Sequence, residues 1–176
     1  MYVDHMNIKI IISCCLLLII GSVNSVLARS DDSEKPINIT ADTAELNDKT
    51  GVSIYRGDVE MIQGTTILRG DVITVYTVNG QVNKMISVGN LATYQETTDD
   101  GDIVYAESEE MIYNSTEKKV ELFRKAKITQ VGNVIKSDYI LYLTEEGIID
   151  TGTTKDRINI VIQPNSTLFN EEDGSE

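Results

Sequence analysis

One short strand-type unit recurs along this chain of 176 residues. The segment Tyr55-Arg56-Gly57-Asp58-Val59-Glu60-Met61-Ile62-Gln63 is echoed at Gly89-Asn90-Leu91-Ala92-Thr93-Tyr94-Gln95 and, more faintly, at Arg124-Lys125-Ala126-Lys127-Ile128-Thr129-Gln130. Further on, Ile67-Leu68-Arg69-Gly70-Asp71-Val72-Ile73 lines up with Val134-Ile135-Lys136-Ser137-Asp138-Tyr139-Ile140, with apolar, basic and acidic positions in register. Self-similarity with a period in the low thirties marks a repeat architecture. A unit this short cannot bury its own apolar face and must stack on its neighbours. One elongated sheet stack is therefore expected, rather than a globule built around a cleft.

The residues between the echoes favour strands. Val52-Ser53-Ile54-Tyr55, Asp58-Val59-Glu60-Met61-Ile62, Asp71-Val72-Ile73-Thr74-Val75-Tyr76, Val120-Glu121-Leu122-Phe123, Lys127-Ile128-Thr129 and Arg157-Ile158-Asn159-Ile160-Val161-Ile162 alternate or nearly alternate and are rich in β-branched and aromatic side chains. Turn signals separate them: Asp48-Lys49-Thr50-Gly51, Asn79-Gly80, Thr98-Asp99-Asp100-Gly101-Asp102, Gly132-Asn133 and Glu145-Glu146-Gly147. The pattern predicts an all-β antiparallel fold of short strands, five or six residues each, with no helical periodicity after Ala28. Pro36 suits the start of a first strand, Ile37-Asn38-Ile39-Thr40.

The first residues have another purpose. Lys9 precedes the apolar run 10–20, and small and polar residues follow it down to Val26-Leu27-Ala28. This is the layout of a secretory signal peptide cleaved after Ala28. The run is shorter than the roughly 20 apolar residues a membrane-spanning helix needs. Retention as an uncleaved anchor is the alternative. Residues 29–169 are then expected to form a single β domain, and the acidic tail 170–176 to remain disordered.

Cleavage removes both cysteines and the single histidine, His5. The remainder then offers no Cys–His pair, no Ser–His–Asp triad and no His-ligated metal, so neither a cofactor nor a metal is expected. The leader holds one acid, Asp4, and one base, Lys9, so its loss leaves the net charge at −13. A chain this acidic repels nucleic acid, whose binding rests on basic contacts to phosphate. Glu109 and Glu110, as neighbours on a strand, point to opposite faces and cannot form an acid–base pair. The acidic stretch 98–102 reads as a solvated hairpin turn rather than a calcium loop.

The order and spacing of several short motifs resemble a known family. They are Pro36-Ile37-Asn38-Ile39-Thr40-Ala41-Asp42, Gly57-Asp58-Val59, Gln63-Gly64-Thr65, Gly70-Asp71, Gly89-Asn90-Leu91-Ala92-Thr93-Tyr94, Met111-Ile112-Tyr113 and Arg157-Ile158-Asn159-Ile160-Val161-Ile162-Gln163-Pro164. Together, behind a signal peptide, they are similar to the OstA-like family of periplasmic lipopolysaccharide-transport proteins. This chain departs from the family at Leu91, where Pro is frequent, and at Arg124-Lys125, where Gly-Asn is frequent. The resemblance implies a twisted, slightly open antiparallel β-jellyroll whose apolar groove shelters the acyl chains of lipopolysaccharide. It also implies a non-enzymatic bridge built by head-to-tail self-association between an LptC-like inner-membrane partner and an LptD-like outer-membrane partner. An LptC-like anchored protein of similar fold and a secreted carboxylate-dependent hydrolase are the competing readings. The hydrolase needs two carboxyls converging in a cleft.

Strand parity then proposes the groove. Val59 and Met61 share a face with Tyr55, and the repeat carries that face to Leu122, Ala126 and Ile128. Ile73 and Val75 correspond to Ile140 and Tyr142, Ile37 and Ile39 supply the first strand, and Met111 and Tyr113 alternate inward. At Tyr94 the two lines of reasoning conflict. Repeat parity turns Leu91 and Thr93 inward, whereas the resemblance places Tyr94 in the groove, and a bulge near Gly89-Asn90 would reconcile them. The strands Ile37-Asn38-Ile39 and Ile158-Asn159-Ile160-Val161-Ile162 are expected to be the open edges that carry oligomerisation.

Overall fold

Alternating β-branched and polar residues fold into ten strands: β1 (Ile37–Thr40), β2 (Thr43–Asn47), β3 (Val52–Gln63), β4 (Thr66–Val78), β5 (Gln81–Thr97), β6 (Ile103–Asn114), β7 (Lys119–Gln130), β8 (Asn133–Leu143), β9 (Ile148–Asp150) and β10 (Asn159–Val161). The computed structural model describes residues 32, 35–152 and 157–164. The expected signal peptide 1–28 and tail 170–176 lie outside them. Consecutive strands from β3 to β8 pair antiparallel in one sheet. Two short strands share each end of that sheet. β1 and β2 divide the outer edge of β3, and β10 and β9 divide that of β8.

The strands are longer than the sequence pattern suggests. β3 to β8 run 12, 13, 17, 12, 12 and 11 residues. Val52-Ser53-Ile54-Tyr55 and Asp58-Val59-Glu60-Met61-Ile62 are two halves of β3, and the segments beginning at Val120 and Lys127 are two halves of β7. The Gly57-Asp58 and Arg124-Lys125 pairs, which mimic turns, are bulges. Each of β3 to β7 is broken in this way: the ladders shift register between Arg56 and Val59, Arg69 and Val72, Val88 and Ala92, Glu107 and Glu110, and Phe123 and Ala126. The breaks lie opposite one another and form a seam across the whole sheet. A bulge bends its strand and sharpens the local twist.

At the seam the sheet folds double. Tyr94 pairs with Ala106, seven residues before Tyr113 on β6, so on a flat sheet Tyr94 and Tyr113 would stand about 23 Å apart. Their ring centroids are 6.1 Å apart. The first layer comprises β1, β10 and the half-strands 59–63, 66–69, 92–97, 103–107, 126–130 and 133–137. The second comprises β2, β9 and 52–56, 72–78, 81–88, 110–114, 119–123 and 139–143. The hairpin turns form the rims of the two layers. The sequence repeat is thus the β3–β4, β5–β6, β7–β8 series of hairpins, each contributing its own length of seam.

Local chemistry makes the seam tolerable. A register break strips carbonyls of their ladder partners, and a buried polar group without a partner is costly. The fully buried Ser87 donates its hydroxyl to the Arg69 carbonyl at 2.9 Å, and Ser108 donates to the Glu110 carbonyl at 2.7 Å. At Gly70 any Cβ would strike the Ser87 hydroxyl and the Val88 carbonyl oxygen. Arg124 and Lys125, at φ 61° and 52°, occupy the left-handed region without being glycine. Arg124 is held by ion pairs to Glu109 and Glu110, and Lys125 by one to Glu109. The Lys125 ammonium, with Arg124 beside it, keeps the Glu109 carboxyl below its ordinary range.

Candidate functional site: the interior between the layers

The side chains facing between the layers form a single apolar body running through all the long strands. Val59, Met61, Ile73, Val75, Tyr94, Met111, Tyr113, Leu122, Ile128, Ile140 and Tyr142 are all at most 5% exposed. Ile37, Ile39 and Tyr55 are half-buried against them. The fourteen positions proposed from parity and resemblance therefore meet in one place. Parity within each half-strand also brings in Leu68, Met85, Ala92, Val104, Ala106, Val120 and Ala126, of which the sequence pattern had yielded only Ala126. The alternation was legible, but its phase was not, because each bulge resets it.

Tyr94 shows that reset most plainly. The bulge between Val88 and Ala92 turns Ala92 and Tyr94 inward, at 0% and 1% exposure. Leu91 and Thr93, which simple repeat parity turned inward, are only half-buried. The expected bulge near Gly89-Asn90 exists.

The interior is not entirely apolar. Two positions beyond Tyr94, Glu96 falls on the inner face opposite Val104. The Tyr94 hydroxyl donates to Glu96 Oε2 at 2.6 Å. Burial raises the pKa of Tyr94 well above the ordinary value, and the Glu96 charge and hydrogen bond add to the shift. Tyr142, from the opposite layer, shifts the same way for the same two reasons, burial first and Glu96 second. One carboxylate thus faces phenols from both layers. On the described half-strands to either side of the seam Glu96 is the only acid with inward parity, so the converging pair that a hydrolase needs is not assembled there. Gln63, Thr66, Gln130 and Asn133 join Glu96 along the rim of the first layer, giving the apolar interior a polar lip.

The ends of the sheet carry the proposed edges. Ile37, Asn38 and Ile39 lie in β1, which pairs with β3 along one side. At the other end the strand is shorter than the sequence suggests. Only Asn159, Ile160 and Val161 pair with β8, and Ile158 and Ile162 flank them outside the ladder. Ile158, Ile160, Val161 and Ile162 are 44–55% exposed.

The family described as LptA/(LptD N-terminal domain) LPS transport protein matches residues 38–148. The chain belongs to this family. It is 38% identical over 148 residues to the lipopolysaccharide export system protein LptH of Pseudomonas aeruginosa, an alignment spanning 78% of this chain and 85% of the relative. It is 29% identical over 140 residues to LptA of Escherichia coli K12, spanning 78% and 76%. The crystal structure of LptH, described as the LptA-homologous periplasmic component of the lipopolysaccharide transport device of P. aeruginosa, superposes with a TM-score of 0.71 at 36% identity. That match covers 76% of this chain and 99% of LptH. The fold is therefore the open antiparallel β-jellyroll expected, and the chain is a transport protein rather than an enzyme. Among the described residues no helix is long and apolar enough to cross a membrane.

Proposed function

We propose that this protein is a periplasmic carrier that shelters the acyl chains of lipopolysaccharide between its two layers on the way from the inner to the outer membrane. The supporting observation is an apolar interior that extends from β1 to β9 in a sheet whose two ends do not pair with each other. In that reading the acyl chains lie among Ile39, Tyr113, Leu122 and Ile128. The phosphorylated head emerges at the polar lip.

Net charge does not supply the affinity. A charge of −13 opposes an anionic lipid at long range, so binding rests on burial, at about 0.8 kcal/mol per methylene removed from water. The exposed apolar residues of β10 and the edge of β1, which no described strand covers, suit head-to-tail association of protomers. The end protomers would meet an LptC-like partner at the inner membrane and an LptD-like partner at the outer. Unpaired edges offer N–H and C=O groups to another chain, and a contact that does not close produces an open filament. Mass spectrometry of lipid copurified with the exported protein tests the carrier role. Recovery of lipopolysaccharide is the expected result, and recovery of phospholipid alone contradicts it.

A further inference from the structure

Two lysines face each other on the outer surface where repulsion would be expected to separate them. Lys127 and Lys136 are directly opposed on β7 and β8, and like charges in that position destabilise a sheet. They line a recess of about 500 Å³ beside the outer edge of β10, which no described strand covers, with Lys125 and Arg157 adding positive charge and Glu107 and Asp138 negative. Four bases against two acids is a reversal of sign in a chain whose net charge is −13. Lys127 is paired with Glu107 at 3.0 Å and Lys125 with Glu109. Among the described residues Lys136 and Arg157 have no ion-pair partner.

The other end of the seam carries the opposite charge. Asp42, in the turn between β1 and β2, packs beside Gly57 and is exposed, as is Asp58 in the bulge of β3. Neither has an ion-pair partner among the described residues.

The strand directions determine how these ends would meet. β1 runs from rim to seam: Ile37 lies opposite Gln63 and Thr40 opposite Glu60. β10 runs from seam to rim: Asn159 lies opposite Lys136 and Val161 opposite Val134. Both belong to the first layer. When two copies are stacked end to end with their layers in line, β10 of one therefore lies antiparallel to β1 of the next. The same stacking sets β9 antiparallel to β2, since β9 runs from rim to seam and β2 from seam to rim. Both new pairings continue the antiparallel order of the sheet. Both also bring Lys136 and Arg157 of one copy to the seam beside Asp42 and Asp58 of the next.

We infer that Lys136 and Arg157 form an electrostatic clasp with Asp42 and Asp58 of a second copy, holding seam to seam and thereby fixing the register in which protomers join. The inference rests on the end-to-end reading above. The occupant is a second copy rather than an anionic lipid head, because Lys127 and Lys136 alternate with Ala126, Ile128 and Ile135 and so face away from the interior. Flipping one copy so that its layers exchange would bring the basic recess onto β2 instead and misalign the interiors.

Sedimentation velocity on four samples tests the clasp: wild type, K136E/R157E, D42K/D58K, and an equal mixture of the two variants. Each variant alone is expected to associate about tenfold more weakly than wild type, the scale of two lost exposed ion pairs and the repulsion replacing them. The mixture is expected to recover wild-type association, because each reversed end meets a complementary one, and recovery also shows that both variants are folded. If wild type assembles and the variants assemble equally well, the clasp is wrong and the end-to-end reading stands. If wild type stays monomeric at all concentrations, both are wrong. If K136E/R157E assembles normally but no longer binds phosphatidylglycerol vesicles that wild type captures, the recess belongs to a lipid head and the clasp is overturned.

Discussion

Replacing Leu122 by alanine separates the packed interior of the free protein from the lipid-filled interior proposed for the carrier. Leu122 is 0% exposed, with Met111 and Ile140, also 0% exposed, directly opposite on β6 and β8. These neighbours are held by continuous ladders and cannot collapse far into the space vacated. The loss therefore combines the transfer energy of the missing carbons with a cavity term, about 2–5 kcal/mol in all. Under the proposed function an acyl chain lying beside Leu122 would occupy the same space, so the deficit in the lipid-bound protein should be smaller by about 1 kcal/mol or more, the value of one or two methylenes. Urea unfolding of wild type and Leu122→Ala, each with and without lipopolysaccharide, measures both quantities. Ile160→Ala, at an exposed position, should change the free protein by only about 0.5 kcal/mol. A loss below about 1 kcal/mol in free Leu122→Ala would refute the packing described. An equal loss with and without lipid would refute the presence of acyl chains at this point of the interior.

Other consequences concern the seam, the interior carboxylate and processing. Gly70→Ala forces a Cβ against Ser87 and Val88 and should cost about 1–3 kcal/mol in chemical denaturation; an unchanged midpoint contradicts the seam geometry. Glu96→Ala leaves the Tyr94 hydroxyl without its acceptor and should cost about 1–3 kcal/mol, whereas Glu96→Gln, which keeps an acceptor oxygen, should cost less. Burial, with the hydrogen bond to Glu121 behind it, pushes Tyr139 up to about 12. The unfolded chain, with tyrosine near 10, loses this proton first as pH rises. The stability from Tyr139 is therefore complete below about pH 10 and lost between about 10 and 12. Tyr139→Phe should flatten the decline in stability over that window, and an unaltered slope would count against it. Amino-terminal sequencing of the exported protein should begin at Arg29; a chain retaining Met1 in the membrane fraction would favour the anchored alternative.

The parts of this structure legible in the sequence are those governed by local pattern. The hairpin repeat, the turns at 48–51, 79–80, 98–102 and 145–147, and the inward residues Val59, Met61, Met111 and Ile128 follow from alternation and turn chemistry. The seam was partly visible, since its Gly-Asp and Arg-Lys pairs generate the echoes, but locally a bulge and a turn look alike. The segments 52–55 and 58–62 therefore read as two strands, where the chain in fact runs as one from Val52 to Gln63. The inward placement of Tyr94 depends on a register break that simple alternation cannot locate. Glu96 stayed hidden for a different reason. An acid near a strand end normally faces water, and only the doubling of the sheet brings Tyr142 of the other layer against it.

Photocrosslinking is the most direct test of the interior as the lipid site. A photoreactive phenylalanine at Ile39 and at Tyr113 faces between the layers, whereas at Tyr105, which alternates with the buried Val104 and Ala106, it faces outward. Irradiation with lipopolysaccharide should yield adducts at Ile39 and Tyr113 and none at Tyr105. Adducts at Tyr105 with the two inward positions silent, while binding itself persists, would place the lipid on the outer surface and contradict the carrier interior.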